Sequence, residues 1–270
     1  MTLGYVERAE GKVAYEQYGD DTREVVYVLV PGIGDLRSTW RIVARELASQ
    51  GHRVLAMDLR GHGDSDATFS SYSARDIGDD VVALIEQQDL KRVVVVGNSI
   101  GGGAACHAAH TMSDRVERLV LINPFVRDMP ADRWMRPLVP ILFASLWGVW
   151  VWLKYRTMLF KVRPTDFDSQ EQALGKNLKE KGRLDAIKAM MRASKSDIAE
   201  NLSTLKTPTL LIMGSKDPDY PDPIAESNEL CKLLGGPVEV NMIQNVGHYP
   251  QLEAPQEVLT SIRNWYGIDA

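Results

Sequence analysis

Cysteine is scarce in this chain: Cys106 and Cys231 are the only two in 270 residues, 125 positions apart, with no CxxC pair and no metal-ligand spacing. Both are expected to be ordinary reduced thiols. Positive charge is in deficit, with 31 Lys and Arg against 36 Asp and Glu and a net charge of -5, so the chain has no electrostatic footprint for nucleic acid. The N-terminal stretch MTLGYVERAEGKVAYEQYG has no basic region leading into an apolar run. No signal peptide is therefore expected, and with reduced thiols this points to a cytoplasmic protein. Metal-ligand clusters and a phosphate-cradling P-loop are missing too. GNSIGGG contains glycines but lacks the acidic residue and spacing of a dinucleotide fingerprint. Neither a cofactor nor a metal is expected, and no internal repeat or low-complexity tract is found.

What the chain does have is apolar residues, 44% of the total, and enough length to bury one core with an insertion. Short β-branched runs at 24–32, 52–61, 92–99, 115–124, 207–217 and 238–248 alternate with helix-period segments. That alternation is the pattern of parallel strands joined by crossover helices. One such helix carries Ile77, Val81, Leu84 and Ile85 on a face, with Ser73 and Asp76 placed to cap its start. The last helix repeats the stripe with Val258, Ile262, Trp265 and Tyr266, and residues 4–19 read as two antiparallel strands around Glu10-Gly11. The rhythm breaks from about 125 to 205, where the chain turns helical, aromatic and basic. The expected fold is an α/β, mostly parallel, doubly wound sheet of about eight strands, with a helical cap inserted after the sixth strand. The core would comprise 1–124 and 206–270, and the cap 125–205, over the sheet edge where open α/β folds bind ligands.

The run VVVVGNSIGGG drives a buried strand straight into Ser99. Gly97-Asn98-Ser99-Ile100-Gly101 fits G-x-S-x-G between a strand and a small-residue helix, a turn so sharp that only tiny neighbours fit beside the serine. Its hydroxyl would stand at a helix N-terminus, where N–H groups favour a developing negative charge. A serine at neutral pH needs a base, and the base needs an orienting group. His248 follows the last strand in NVGHYPQLEAP and is the candidate base. His52 precedes a strand, His107 and His110 lie along a helix, and His62 sits in the RGHGDSD turn. In IMGSKDPDYPDP, Asp217 lies just past its strand, with Asp219 and Asp222 as rivals.

The order Ser99, Asp217, His248, each at a strand end, resembles the α/β-hydrolase fold family. The resemblance covers nearly the whole chain: the turn at 97–101, DLRGHGDSD at 58–66, G-x-x-D at 214–217, and Gly247-His248 with Glu253 five residues on. It implies that Ser99 is the nucleophile, His248 the general base and acid, Asp217 its partner, and the Ile100 N–H half of an oxyanion hole. The other half normally follows a His-Gly pair, where this chain reads LVPGIGDLRSTW. Pro31 stands in for the histidine, and the Ile33 amide can still donate. Relatives with a carboxylate nucleophile open epoxides or carbon–halogen bonds; Ser99 argues against that chemistry.

Between Arg136 and Lys154 lie 17 uncharged residues, PLVPILFASLWGVWVWL, interrupted by Pro140 and Gly148. The run is short of the roughly 20 residues that cross a bilayer, and a span here would part Ser99 from His248. It reads as the lining of an acyl pocket, the alternatives being a lid or dimer surface that also touches lipid, and plain cap core. Phe143, Trp147 and Trp150, at i, i+4 and i+7, are the expected substrate wall. The expected activity is hydrolysis of small to medium hydrophobic carboxylic esters through an acyl-enzyme. Carbon–carbon bond hydrolysis, acyl transfer, or a non-catalytic small-molecule receptor are the alternatives, and no feature of the sequence fixes an oligomeric state.

Overall fold

The computed structural model describes residues 1–20 and 23–267. Its strands are β1 (Thr2–Arg8), β2 (Gly11–Tyr18), β3 (Val26–Val30), β4 (Arg53–Met57), β5 (Val93–Asn98), β6 (Val116–Ile122), β7 (Thr209–Gly214) and β8 (Val238–Ile243). They form one sheet in the order β1-β2-β4-β3-β5-β6-β7-β8. β1 and β2 pair antiparallel, β2 meets β4 antiparallel, and every later pairing is parallel. β3, β5 and β7 are buried at every position. A sheet covered on both faces leaves no wet side, which is why these segments read as continuous apolar runs rather than alternating ones.

One face is covered by α1 (Arg41–Ser49) and the final helix, through Val43, Leu47, Val258 and Ile262. The other is covered by α2 (Ala74–Gln87) and α3 (Ile100–Thr111). The fold is therefore the mostly parallel, doubly wound α/β sheet that the sequence implied. α2 starts where expected: Ser73 Oγ accepts from the Asp76 N–H at 3.1 Å, and the Asp76 carboxylate accepts from the Ser73 N–H at 2.7 Å. Cys106 and Cys231 are free thiols, and burial pushes Cys106 up to about 12, which leaves it unreactive.

Between β6 and β7 run α4 (Asp132–Met135), α5 (Val139–Leu142), α6 (Gly148–Leu159), α7 (Phe167–Leu178), α8 (Arg183–Arg192) and α9 (Ser196–Ala199). These helices share a small core of Val139, Phe143, Trp152, Leu174, Leu178 and Ile187, against which Ile33 and Leu36 also pack. Their polar ties reach loops that follow strands. Asn177 exchanges two hydrogen bonds with the Gly63 backbone at 3.0 and 3.1 Å, Ser38 donates to Gln170 at 2.9 Å, and the His248 N–H donates to the Leu159 carbonyl at 3.0 Å. The helices thus lie over the C-terminal edge of the parallel strands. After β7 come α10 (Pro223–Leu233), α11 (Pro250–Glu253) and α12 (Pro255–Tyr266). Arg118 lies over the rings of Trp265 and Tyr266, 4.9 and 4.4 Å from their centres, and holds α12 to the sheet.

Candidate active site

Ser99 sits between β5 and α3 at φ 56° and ψ −123°, a conformation that costs a non-glycine residue about 1–3 kcal/mol. The surroundings impose it. The Ser99 N–H donates to the Ile122 carbonyl at 3.0 Å, and the Ser99 carbonyl accepts from Phe125 at 2.8 Å. A Cβ on Gly97 would collide with the Gly101 carbonyl, and one on Gly101 with the carbonyls of Val30 and Pro31. Both neighbours must therefore be glycine. Ile100 opens α3, so its N–H is among the first-turn donors that have no acceptor within the helix.

His248 and Asp217 are brought together: Nδ1 lies 2.7 Å from Asp217 Oδ2, both side chains buried. Asp219 Oδ2 is 3.6 Å from the same nitrogen, and its Oδ1 accepts from the Tyr155 hydroxyl at 2.6 Å. Asp217 Oδ1 in turn accepts from the Asp219 N–H at 2.9 Å. Asp222 is elsewhere, capping α10 through the N–H groups of Ile224 and Ala225. Burial by itself would push the imidazole down, but the charges of Asp217, Asp219 and Asp35 outweigh it and raise His248 to about 9. Burial raises the Asp219 carboxyl, the nearby His248 opposing and Asp217 adding to the shift. Asp217, Asp219 and His248 offer three donor atoms within 4.8 Å of one another, a spacing that a cation would tolerate. Two of those atoms are already joined by the 2.7 Å hydrogen bond, which suits an oriented imidazole better than a ligand set.

The histidine loop is fixed from several sides. Asn98 Nδ2 donates to the Ile122 and His248 carbonyls at 3.0 and 3.2 Å, and Asn123 Nδ2 to the Gly247 carbonyl at 3.0 Å. Glu253, noted in the sequence, accepts from the N–H groups of Gly247, Tyr249, Lys161 and Val162 at 2.8–3.1 Å. One carboxylate thereby ties this loop to the end of α6.

The loop after β3 approaches the serine so closely that a Cβ on Gly32 would stand 3.2 Å from that of Ser99. Pro31 cannot pin this loop by a side-chain hydrogen bond, and His62 does so from another strand end. His62 Nε2 accepts from the Gly34 N–H at 3.1 Å, so its Nδ1–H is the donor to the Arg60 carbonyl at 3.0 Å. Burial holds His62 down at about 4, which keeps that nitrogen an acceptor. Next along the loop, buried Asp35 accepts from Arg156 Nε at 2.7 Å. Arg156 also pairs with Glu171 and lies over the rings of Phe160 and Tyr249. Burial raises the Asp35 carboxyl and Arg156 opposes it. The guanidinium offsets the field that the Asp35 carboxylate would otherwise exert on the cavity. Asp35 and Arg156 were invisible in the sequence, since 121 positions separate them.

Ser99, His248, Asp219, Ile33 and Phe143 line one cavity of about 360 Å³, inside the range of roughly 300–1,000 Å³ typical of small-molecule sites. Met129, Met135, Val139, Leu142, Val151 and Leu159 supply apolar wall, and Lys195, 3.1 Å from Asp132, a polar corner. The expected wall of Phe143, Trp147 and Trp150 is only partly correct. Trp147 and Trp150 are 46% and 64% exposed and do not line the cavity. The reason is a break in the helix: α5 stops at Leu142, and α6 begins at Gly148, where a Cβ would press into the Phe143 backbone. The i, i+4, i+7 spacing therefore does not place the three on one face. Trp152 points inward instead, with its ring 5.8 Å from Phe143 and its Nε1–H donating to the Gly34 carbonyl at 3.3 Å. Gly148, a helix-weak residue inside an apolar run, was the available signal.

The model of the family described as "Alpha/beta hydrolase family" matches residues 27–260. An uncharacterised protein of Mycobacterium tuberculosis is 40% identical over 96 residues, which is 36% of this chain; the chain spans 28% of that relative's length. The AB hydrolase superfamily protein YfhM of Bacillus subtilis is 27% identical over 214 residues, 70% of this chain and 73% of that one. Among solved structures, a thermophilic esterase from Thermogutta terrifontis superposes with a TM-score of 0.79 at 22% identity, covering 99% of this chain and 98% of its own. At that identity the likeness is one of fold.

Proposed function

The chain belongs to the α/β-hydrolase family, and from that premise we propose that it is a serine hydrolase of small to medium hydrophobic carboxylic esters. The observation that carries the reading is the 2.7 Å bond from Asp217 to His248 Nδ1, in a cavity that also presents Ser99 on its strained turn. With Nδ1–H held by Asp217, Nε2 is the free base. Ser99 Oγ attacks the ester carbonyl and gives its proton to Nε2, while the Ile33 and Ile100 amides receive the developing oxyanion. The imidazolium then protonates the leaving alcohol, and water, deprotonated by the same nitrogen, releases the acid. No step uses a cofactor. Residues 125–205 act in this reading as the cap that supplies the apolar wall, which favours greasy acyl groups over sugars. A serine at position 99 counts against epoxide opening, which needs a carboxylate there. Turnover of p-nitrophenyl esters, with mass spectrometry locating a fluorophosphonate adduct on Ser99, tests the proposal; adduct formation elsewhere would overturn it.

The raised imidazole gives a pH prediction. Only neutral His248 can take the serine proton, so kcat/KM should climb with pH through an apparent pKa above that of a free imidazole, towards about 9. Asp219→Asn removes one of the charges that favour the imidazolium, and should move that limb to lower pH. A limb that stays in place would mean that Asp219 exerts no field on the base.

Specificity should follow the inward residues. Val151→Trp narrows the cavity and should cut kcat/KM for octanoyl esters at least ~10-fold while acetyl esters change little. Trp150→Ala should leave the chain-length profile unaltered, because that side chain points away from the site. An equal loss for all chain lengths, tracking a lower melting temperature, would count against an acyl-binding cap.

A further inference from the structure

Nine of the fourteen large hydrophobic side chains exposed among the described residues fall between 134 and 162. Leu146 is 88% exposed, Met158 68%, Ile141 65% and Trp150 64%. α6 is apolar on two sides. Val151, Tyr155 and Leu159 face the cavity, while Trp150, Lys154 and Met158, at i, i+4 and i+8, form an outward stripe. A helix that carries large apolar side chains on its outward as well as its inward face is not the ordinary surface helix of a protein bathed only in water. Trp147 extends the stripe towards α5, its Nε1–H donating to the Ile141 carbonyl at 3.1 Å.

Charge says what covers this face. From Arg133 to Thr165 there is no Asp or Glu, and there are six cations, Arg133, Arg136, Lys154, Arg156, Lys161 and Arg163, in a chain whose net charge is -5. All but the buried Arg156 and the partly covered Arg136 are exposed. We propose that this face docks on an anionic lipid surface, with Leu146, Trp147, Trp150 and Ile141 entering the interface and Arg133, Lys154, Lys161 and Arg163 meeting the headgroups. Tryptophan, apolar with one polar tip, suits that boundary, and an apolar face rimmed by cations is the composition of interfacial helices. No helix of the described residues is long and apolar enough to cross a membrane, so the contact is peripheral. A second copy of the chain fits less well. A two-fold interface sets the same patch against itself, which would bring the exposed Arg133, Lys154, Lys161 and Arg163 towards their own like charges, with only Asp132 and Glu253 beside them.

Flotation with vesicles of phosphatidylcholine containing about 30% phosphatidylglycerol tests the proposal against pure phosphatidylcholine. The full chain should float with the anionic vesicles, bind the neutral ones at least ~10-fold less, and be weakened by salt. Tryptophan emission should shift to the blue on binding. The Leu146→Glu/Trp150→Glu variant should lose partitioning at least ~10-fold with its melting temperature unchanged. Ser99→Ala should float like the parent chain, so failure of the hydrolase reading and failure of lipid docking are told apart. Equal flotation with both vesicle types, or none with either, would overturn the proposal. So would a concentration-dependent dimer in solution that the double substitution dissociates.

Discussion

Ser99→Ala should lower turnover of a p-nitrophenyl ester by at least ~10³-fold, because in the proposed mechanism Ser99, His248 and Asp217 act as a unit and the remaining rate would come from binding and the Ile33 and Ile100 amides. The fold should not suffer. Alanine keeps the Cβ that the turn already accommodates at φ 56°, and Ser99 lends the structure its backbone bonds to Ile122 and Phe125 rather than its hydroxyl. Melting temperature and far-UV spectrum should match the parent chain, and the fluorophosphonate adduct should vanish. Unchanged turnover, with contaminating esterase excluded by repurification, would remove Ser99 from the mechanism.

Asp217→Asn should slow acylation by on the order of 10³–10⁴-fold, since an amide in place of the carboxylate no longer secures the Nδ1–H tautomer or steadies the imidazolium. Asp219→Asn should cost under about 10-fold: a hydrogen bond needs a closer approach than its 3.6 Å to Nδ1, and its effect is that of a nearby charge. Single-turnover acylation at a pH well above the imidazole limb separates the two, because there a shift in the limb no longer changes the rate. If Asp219→Asn is the crippled variant, the orienting carboxylate lies two residues further along. Asp222→Asn should leave acylation untouched and the start of α10 nearly unaffected, since an asparagine Oδ1 can accept the same two backbone N–H groups.

Local rules wrote much of this protein into its sequence. The continuous β-branched runs announce strands buried on both faces, Ser73 and Asp76 mark the start of α2, and the glycines flanking Ser99 mark a turn that admits nothing larger, because each of these features is decided within a few residues. The candidate serine, histidine and carboxylate were legible for the same reason, each following a recognisable strand. What the tertiary structure alone decided involves residues far apart in the chain or too close together for pattern to separate. Asp217 and Asp219 differ by two positions on one loop, and only the approach of His248 from the next strand end ranks them. The apolar run at 137–153 fixed that a greasy surface exists. It could not fix which tryptophan turns inward, because a break at Gly148 resets the helical phase and the contact with Gly34, 118 residues away, selects Trp152. Composition is additive along the chain and can be read in order, whereas facing is set by what packs opposite, and that partner comes from elsewhere in the fold.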